Sequence, residues 1–300
     1  MIKLGTYLNR YEGLTFEERV RCVKNAGFDF IGFGMPYLEE NRPEDVISLC
    51  EKIDLPIDNV HLTGGKTTEI WSDGEIGDKV VKRYCKEIKL CSEYGIKRGV
   101  AHVTWGHKIP GAISEIGLSR LETIAKVAEE CGFVLGLENS VYPEYLYASM
   151  ERLKDYKSIG FTFDSGHRNA FAPEHNFLDV FGDRLAVTHI QDNDGRDDLH
   201  LFPMDGTIDW DKVAGELAKT ELARDRICAE VTNGPRKELP DMTAQQIYDH
   251  YSMLAVIDTP HVHIEDGLLT IYADLDYDAR LNRVYEAMKK LGSMIEEKTK

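Results

Sequence analysis

The chain has 300 residues, 42% of them hydrophobic, enough to bury the core of one α/β barrel or of two ordinary domains. Its 52 acidic side chains against 36 basic ones give a formal net charge of −16, which works against generic affinity for nucleic acid or anionic lipid. No Pro/Gly/Ser linker divides the chain, no long apolar run suggests a signal peptide or membrane span, and the six cysteines lack Cys-x-x-Cys spacing, so a single cytoplasmic domain over 1–300 with reduced thiols is expected.

Taken in order, short runs rich in Val, Ile and Phe alternate with longer amphipathic stretches, the pattern of repeated βα units. Strands are predicted at 2–7, 29–34, 57–62, 98–103, 133–138, 159–164, 185–190 and 226–231. Helices are predicted between them at 16–26, 43–54, 77–95, 114–131, 145–156, 174–182 and 210–221, and a last one at 277–297. Gly27, Gly95 and Gly132 each mark the end of a helix. Parallel strands in this number hide both faces by closing on themselves, so the expected fold is an α/β, (β/α)8 TIM barrel with a C-terminal elaboration.

The elaboration is the segment 240–276, which breaks the repeat. It reads as a helix from Met242 to Ile257, then a hairpin around Glu265-Asp266-Gly267. His261 and His263 have ligand spacing but follow the last strand, and a surface lid or docking segment is the milder reading. His107, His175 and His250 read as ordinary loop or helix residues.

A barrel of this kind carries its chemistry at the carboxyl ends of its strands. The apolar runs stop at His61, His102, Glu138, Asp164, His189 and Glu230. One histidine ending a strand is ordinarily structural; histidine or carboxylate at the same end of six consecutive strands points to a site. From His189 to Asp209 the chain holds two histidines and six aspartates, too many for a plain connection. Asp198 and His200, two apart, can point the same way from an extended loop. Imidazole with carboxylate suits a divalent first-row metal, while a solvated acidic loop beside a core histidine is the bland alternative.

Four pieces in this order, Leu137-Glu138-Asn139, Phe163-Asp164-Ser165-Gly166-His167, His189-Ile190-Gln191-Asp192, and Asp198-Leu199-His200 through Gly206-Thr207-Ile208-Asp209-Trp210, resemble the xylose isomerase-like barrel superfamily over roughly 1–235. That group includes sugar-phosphate isomerases and epimerases and endonuclease IV. The resemblance to its epimerases implies one divalent ion (Mn, Zn, Co or Mg) held by Glu138, Asp164, His189 and Glu230. The resemblance to endonuclease IV implies up to three ions and adds His61, His102, His167, Asp198 and His200. The resemblance to the epimerases also implies proton transfer through a metal-stabilised enediolate, with Glu138 and Glu230 as the catalytic pair or His167 moving the proton. Arg196 and Trp105 are the expected substrate contacts, Trp71 either a second aromatic wall or packing. Asn139 is expected to orient Glu138, and Asp192 or Asp194 to fix a histidine tautomer.

Three readings follow: a metal-dependent isomerase or epimerase of a sugar, sugar phosphate or polyol derivative; an endonuclease IV-like phosphodiesterase on abasic DNA, opposed by the charge; and a partner-dependent barrel subunit acting on a modified sugar. A small-molecule substrate and a homo-oligomer are expected, with neither nucleic acid nor membrane as a partner.

Overall fold

Eight short strands run parallel, each beside the one before it in the chain and the eighth beside the first. They are β1 (Lys3–Tyr7), β2 (Phe30–Gly34), β3 (Ile57–His61), β4 (Arg98–His102), β5 (Val134–Glu138), β6 (Ile159–Asp164), β7 (Leu185–His189) and β8 (Arg226–Ala229). The seam between β7 and β8 is closed by Ile190 N–H donating to Cys228 O and Glu230 N–H to Ile190 O, which makes the sheet a barrel. The computed structural model describes residues 1–107, 110–231, 262–265, 268–272 and 275–300. The expected helix Met242–Ile257, with His250 and His261, lies outside the described residues. Among the described residues no helix is long and apolar enough to cross a membrane.

The outer layer is made of α1 (Phe16–Asn25), α2 (Pro36–Glu40), α3 (Pro43–Ile53), α4 (Glu75–Glu93), α5 (Glu115–Glu130), α6 (Pro143–Arg152), α7 (Ser165–Phe171), α8 (Phe177–Phe181), α9 (Trp210–Leu217), α10 (Glu221–Asp225) and α11 (Tyr277–Thr299). Two differences from the sequence reading have local causes. Asp164 ends β6 and at once caps α7, its carboxylate accepting from His167 N–H at 2.6 Å, so a short helix starts without a loop. Thr220 caps α10 in the same way, so the expected 210–221 helix stops at Leu217 and a separate short one starts at Glu221. β9 (Val262–Glu265) and β10 (Leu268–Ile271) pair antiparallel, with Leu268 opposite Glu265 and His263 opposite Thr270.

Strands covered on both faces read as continuous apolar runs, and here Ile31, Phe33, Val60, Val100, Phe161, Phe163 and Ile227 are all fully buried. One close approach inside the barrel matters for the site. A Cβ on Gly32 would lie 2.7 Å from the Tyr7 ring and 3.0 Å from Asn59 Oδ1, so the bare backbone leaves room for Tyr7 to reach inward. Its hydroxyl donates to Asn59 Oδ1 at 2.6 Å. On the outside, Arg168 of α7 is paired with Glu216 of α9, both buried, which ties together the two helices that flank β7.

Candidate metal centre

Strand pairing sets the site. Register places His102 beside Glu138, and Asp164 beside His189, all at the carboxyl end of the barrel. Glu138, Asp164, His189 and Glu230 each offer a donor atom, and these atoms lie within 4.8 Å of one another. His189 Nδ1 stands between two carboxylates, 2.8 Å from Glu138 Oε1 and 2.9 Å from Glu230 Oε2. Its Nε2 meets the Tyr7 hydroxyl at 3.0 Å. Glu138, Asp164 and His189 have no solvent exposure, and Glu138 Oε2 is buried without a hydrogen-bond partner. A second grouping, His61, His102 and Glu138, adjoins the first, with both Nε2 atoms 3.3 to 3.4 Å from that same oxygen.

Farther out, His167 Nε2 and His200 Nε2 lie 3.3 and 3.0 Å from Asp198 Oδ2. Asp198 is held from its other oxygen by Gln191 Nε2 at 2.7 Å. A carbonyl can only accept, so it fixes the tautomer of any imidazole it touches. His61 Nδ1 donates to Leu62 O at 2.8 Å, His167 Nδ1 to Asn139 O at 2.9 Å, and His200 Nδ1 to Glu230 O at 2.9 Å. In each ring that leaves Nε2 as the nitrogen turned toward the carboxylates, the arrangement a ligand needs.

Burial and charge compete here. Burial works against charge on every group, yet the surrounding carboxylates hold His167 and His189 well above the ordinary histidine range. Glu138 and Asp198 are held well below theirs despite burial, Glu138 chiefly by His189 and His102, and Asp198 by His200 and His167. Glu230, against the same burial, is brought down to about 2 by His189. Two groups go the other way: burial pushes Asp164 up to about 7 and His102 down to about 4. Three carboxylates, Glu138 and Asp164 fully buried and Glu230 partly so, within reach of one histidine carry more negative charge than one proton offsets, which is the condition a cation relieves.

The supporting residues differ from the sequence reading. Asn139 grips the Asp164 backbone, accepting from its N–H at 2.9 Å and donating to its carbonyl at 2.8 Å, and makes no hydrogen bond to the Glu138 carboxylate. Asp192 touches no histidine. Its carboxylate accepts from Trp210 Nε1, Asn193 N–H, Met204 N–H and Ile208 N–H, closing the loop that carries Asp198 and His200. Asp194 likewise caps the turn at Arg196 and Asp197. Trp71 is packing: it is buried, donates to Val103 O at 2.7 Å and meets the Tyr145 ring edge-on.

A cavity of about 290 Å³ opens over this cluster, with His61, His102, His167, Asp198, His200 and Glu230 on its walls. Trp105 lines it, its ring 4.9 Å from His102 and edge-on to it. Arg196 is exposed and is not among the lining residues. His107, read as an ordinary surface residue, stands at the cavity wall against Phe171. His175 packs on Tyr147 and Phe177, away from the site. Sequence reasoning passed over Tyr7, Asn59 and the role of Gln191. The polar ends of the first strand and of the His189-Ile190-Gln191 run were the signal available for two of them.

The family model described as xylose isomerase-like TIM barrel matches residues 20–250. An uncharacterized protein of Sinorhizobium fredii is 41% identical over 76 residues, 25% of this chain and 24% of that protein, so the match spans about a quarter of the relative's length. Among solved structures, D-psicose 3-epimerase from Clostridium cellulolyticum H10, determined with D-tagatose, aligns with a TM-score of 0.71 at 15% identity over 98% of this chain and 99% of that one. The IolI protein with a bound zinc atom aligns with a TM-score of 0.70 at 16% identity over 97% and 98%. At these identities the likeness is one of fold. With the family model matched over more than half its length, this chain belongs to the xylose isomerase-like TIM barrel family.

Proposed function

We propose that this chain is a divalent-metal-dependent epimerase or isomerase of a sugar or polyol derivative, working by proton transfer at carbon next to a carbonyl. The convergence of Glu138, Asp164, His189 and Glu230 donor atoms within 4.8 Å, with Glu138 Oε2 buried and accepting no hydrogen bond, carries the reading. Three carboxylates and one imidazole form a donor set suited to manganese, zinc, cobalt or magnesium. Bound there, a divalent cation supplies Lewis acidity toward the substrate's carbonyl and hydroxyl oxygens, making the neighbouring C–H acidic enough to lose its proton. The fold of D-psicose 3-epimerase, alike over nearly the whole chain, supports the same reaction class.

The remaining work falls to the chain's own residues. Glu230, partly exposed at 18% of its side chain and lining the cavity, takes the proton. Glu138 approaches from β5, on the other side of His189, and gives a second proton to the opposite face of that carbon, so that a turnover leaves Glu230 protonated and Glu138 ionised until exchange with solvent resets the pair. Tyr7 fixes the His189 ring from behind through Nε2, and Asn139 and the α7 N-terminus fix the Asp164 carboxylate and backbone. His167, on the cavity wall and hydrogen-bonded through Nδ1 to a carbonyl, is the alternative proton carrier.

Incubating the manganese or cobalt form with ketoses, aldoses and inososes in heavy water tests this: deuterium should enter the carbon next to the carbonyl of at least one sugar, and absence of exchange across the panel would sink it. The nuclease reading keeps two supporting observations, the His61, His102 and Glu138 grouping and the approach of His167 and His200 to Asp198. Metal analysis of protein purified without chelator separates the two, one ion per chain favouring the epimerase and three the nuclease, with incision of an abasic duplex as the direct check. Light scattering and a pull-down from native extract address homo-oligomer formation and a partner subunit.

A further inference from the structure

The cavity over the metal donors is one lobe of a longer cleft. A second lobe of about 660 Å³, more than twice the volume of the first at about 290 Å³, shares His61, Trp105 and Glu230 with it. The reacting carbon has to lie beside Glu230, so a substrate centred there reaches into both lobes. A single ring seated on the donors leaves the larger lobe empty.

The walls of the outer lobe describe its occupant. Trp105, 45% exposed, presents an aromatic face; Tyr37 also lines the lobe, largely buried with the Arg19 and Arg10 guanidinium groups over its ring, and Gly64 and Gly65 line it with backbone. Both aromatic walls are fixed in advance. The Tyr37 hydroxyl accepts from Arg19 Nη1 at 2.6 Å, and Trp105 N–H donates to Thr68 Oγ1 at 2.8 Å while its indole rests where a Gly64 side chain would be, 2.0 Å from the position of that Cβ. A flat apolar face on Trp105 joined to a polar rim matches the alternating C–H and hydroxyl surfaces of a pyranose. The rim is the exposed Arg10–Glu40 ion pair. Among the described lining residues of both lobes, Arg10 is the one lysine or arginine, and Glu40 already partners it, whereas Asp198 and Glu230 add negative charge. The described walls therefore offer a phosphate no lysine or arginine that is not already paired.

We propose that the substrate is an uncharged glycoside, a sugar bearing a second ring that occupies the lobe between Tyr37, Gly65 and Trp105. The proposal rests on the epimerase reading for the position of the reacting ring, and it also excludes sugar phosphates from the range left open above.

Gly65 offers a clean perturbation. A Cβ there meets nothing within 4 Å, and its backbone lies outside the left-handed region, so Gly65→Phe fills the lobe without straining the fold. Binding to the manganese form is measured for D-fructose, fructose 6-phosphate and three uncharged ketodisaccharides, lactulose, isomaltulose and turanose. Deuterium exchange is followed separately. At least one disaccharide should bind about tenfold or more tightly than fructose, and Gly65→Phe should bring that ratio close to one; a ratio is insensitive to any fraction of the variant lost to misfolding. Fructose binding as well as all three disaccharides, fructose 6-phosphate binding best, or a ratio that Gly65→Phe leaves unchanged overturns the proposal. A disaccharide preference without exchange in any sugar would remove the proposed reaction and leave the lobe assignment standing.

Discussion

Replacing Asp192 with alanine tests how the loop that carries Asp198 and His200 is held. Asp192 is fully buried, and its carboxylate accepts four hydrogen bonds, from Trp210 Nε1 at 2.8 Å, Asn193 N–H at 2.9 Å, Met204 N–H at 3.1 Å and Ile208 N–H at 3.2 Å. A backbone pair between Asp192 and Leu201 adds to the closure but survives the substitution. Asp192→Ala leaves four donors without their acceptor in a buried place. Hydrogen bonds to a charged group are worth about 1.5–3 kcal/mol each, but the desolvation cost of the carboxylate disappears with it and the loop relaxes, so the net cost is about 3–5 kcal/mol. In a chain of this size that is a fall in melting temperature of roughly 6–10 °C. The four donors Glu138, Asp164, His189 and Glu230 lie on strands or directly after one, so the first equivalent of manganese, titrated by calorimetry, should bind within about threefold of wild type. A melting temperature within about 2 °C of wild type would refute the stapling argument. A folded variant that has lost more than about tenfold in manganese affinity would instead restore Asp192 as a support of the metal ligands.

Glu138→Gln keeps the shape of the side chain and removes the charge that His61, His102 and His189 face; thermal melts should show loss of the manganese-induced stabilisation, about 2.7 kcal/mol at a hundredfold excess over the dissociation constant. An undiminished manganese shift in that variant would remove Glu138 from the ligand set. Without a cation, His189 holds a proton between Glu138 and Glu230, its pKa well above the usual range, and the cation must displace that proton. Manganese affinity should therefore rise with pH, by about tenfold per unit while one proton is exchanged, and weaken as pH falls; calorimetry at about pH 6 and about pH 8 reads this, and a flat profile contradicts it. Trp105, 45% exposed, should be replaceable by alanine at a stability cost under about 1 kcal/mol. The KM of that variant for its sugar should rise about three- to tenfold, the worth of one aromatic face, and an unchanged KM would take Trp105 out of the binding wall.

The strands were legible because a parallel strand hidden on both faces must be apolar along its whole length, so the polar residue that ends it stands out. Runs such as Leu185-Ala186-Val187-Thr188-His189 gave both the strand and the position of its donor, and each of the eight strands lies within two residues of its sequence boundary at either end. The short helix α7 was not legible, because its start depends on Asp164 turning back to cap it rather than on apolar periodicity. The start of α10 at the end of the expected 210–221 helix is a cap of the same kind at Thr220.

By itself the sequence determined which residue types stand at the barrel mouth, since strand count, strand ends and the acidic stretch after His189 are properties of one-dimensional pattern. The tertiary structure alone decided what each of them does. Tyr7 meets His189 across 182 positions, the tautomers of His61, His167 and His200 are set by the carbonyls of Leu62, Asn139 and Glu230, and Asp192 closes a loop instead of steadying an imidazole. The reason is physical. Every residue carries the same backbone carbonyl, so an imidazole's choice among them leaves no mark on residue identity and is fixed only by the path of the folded chain.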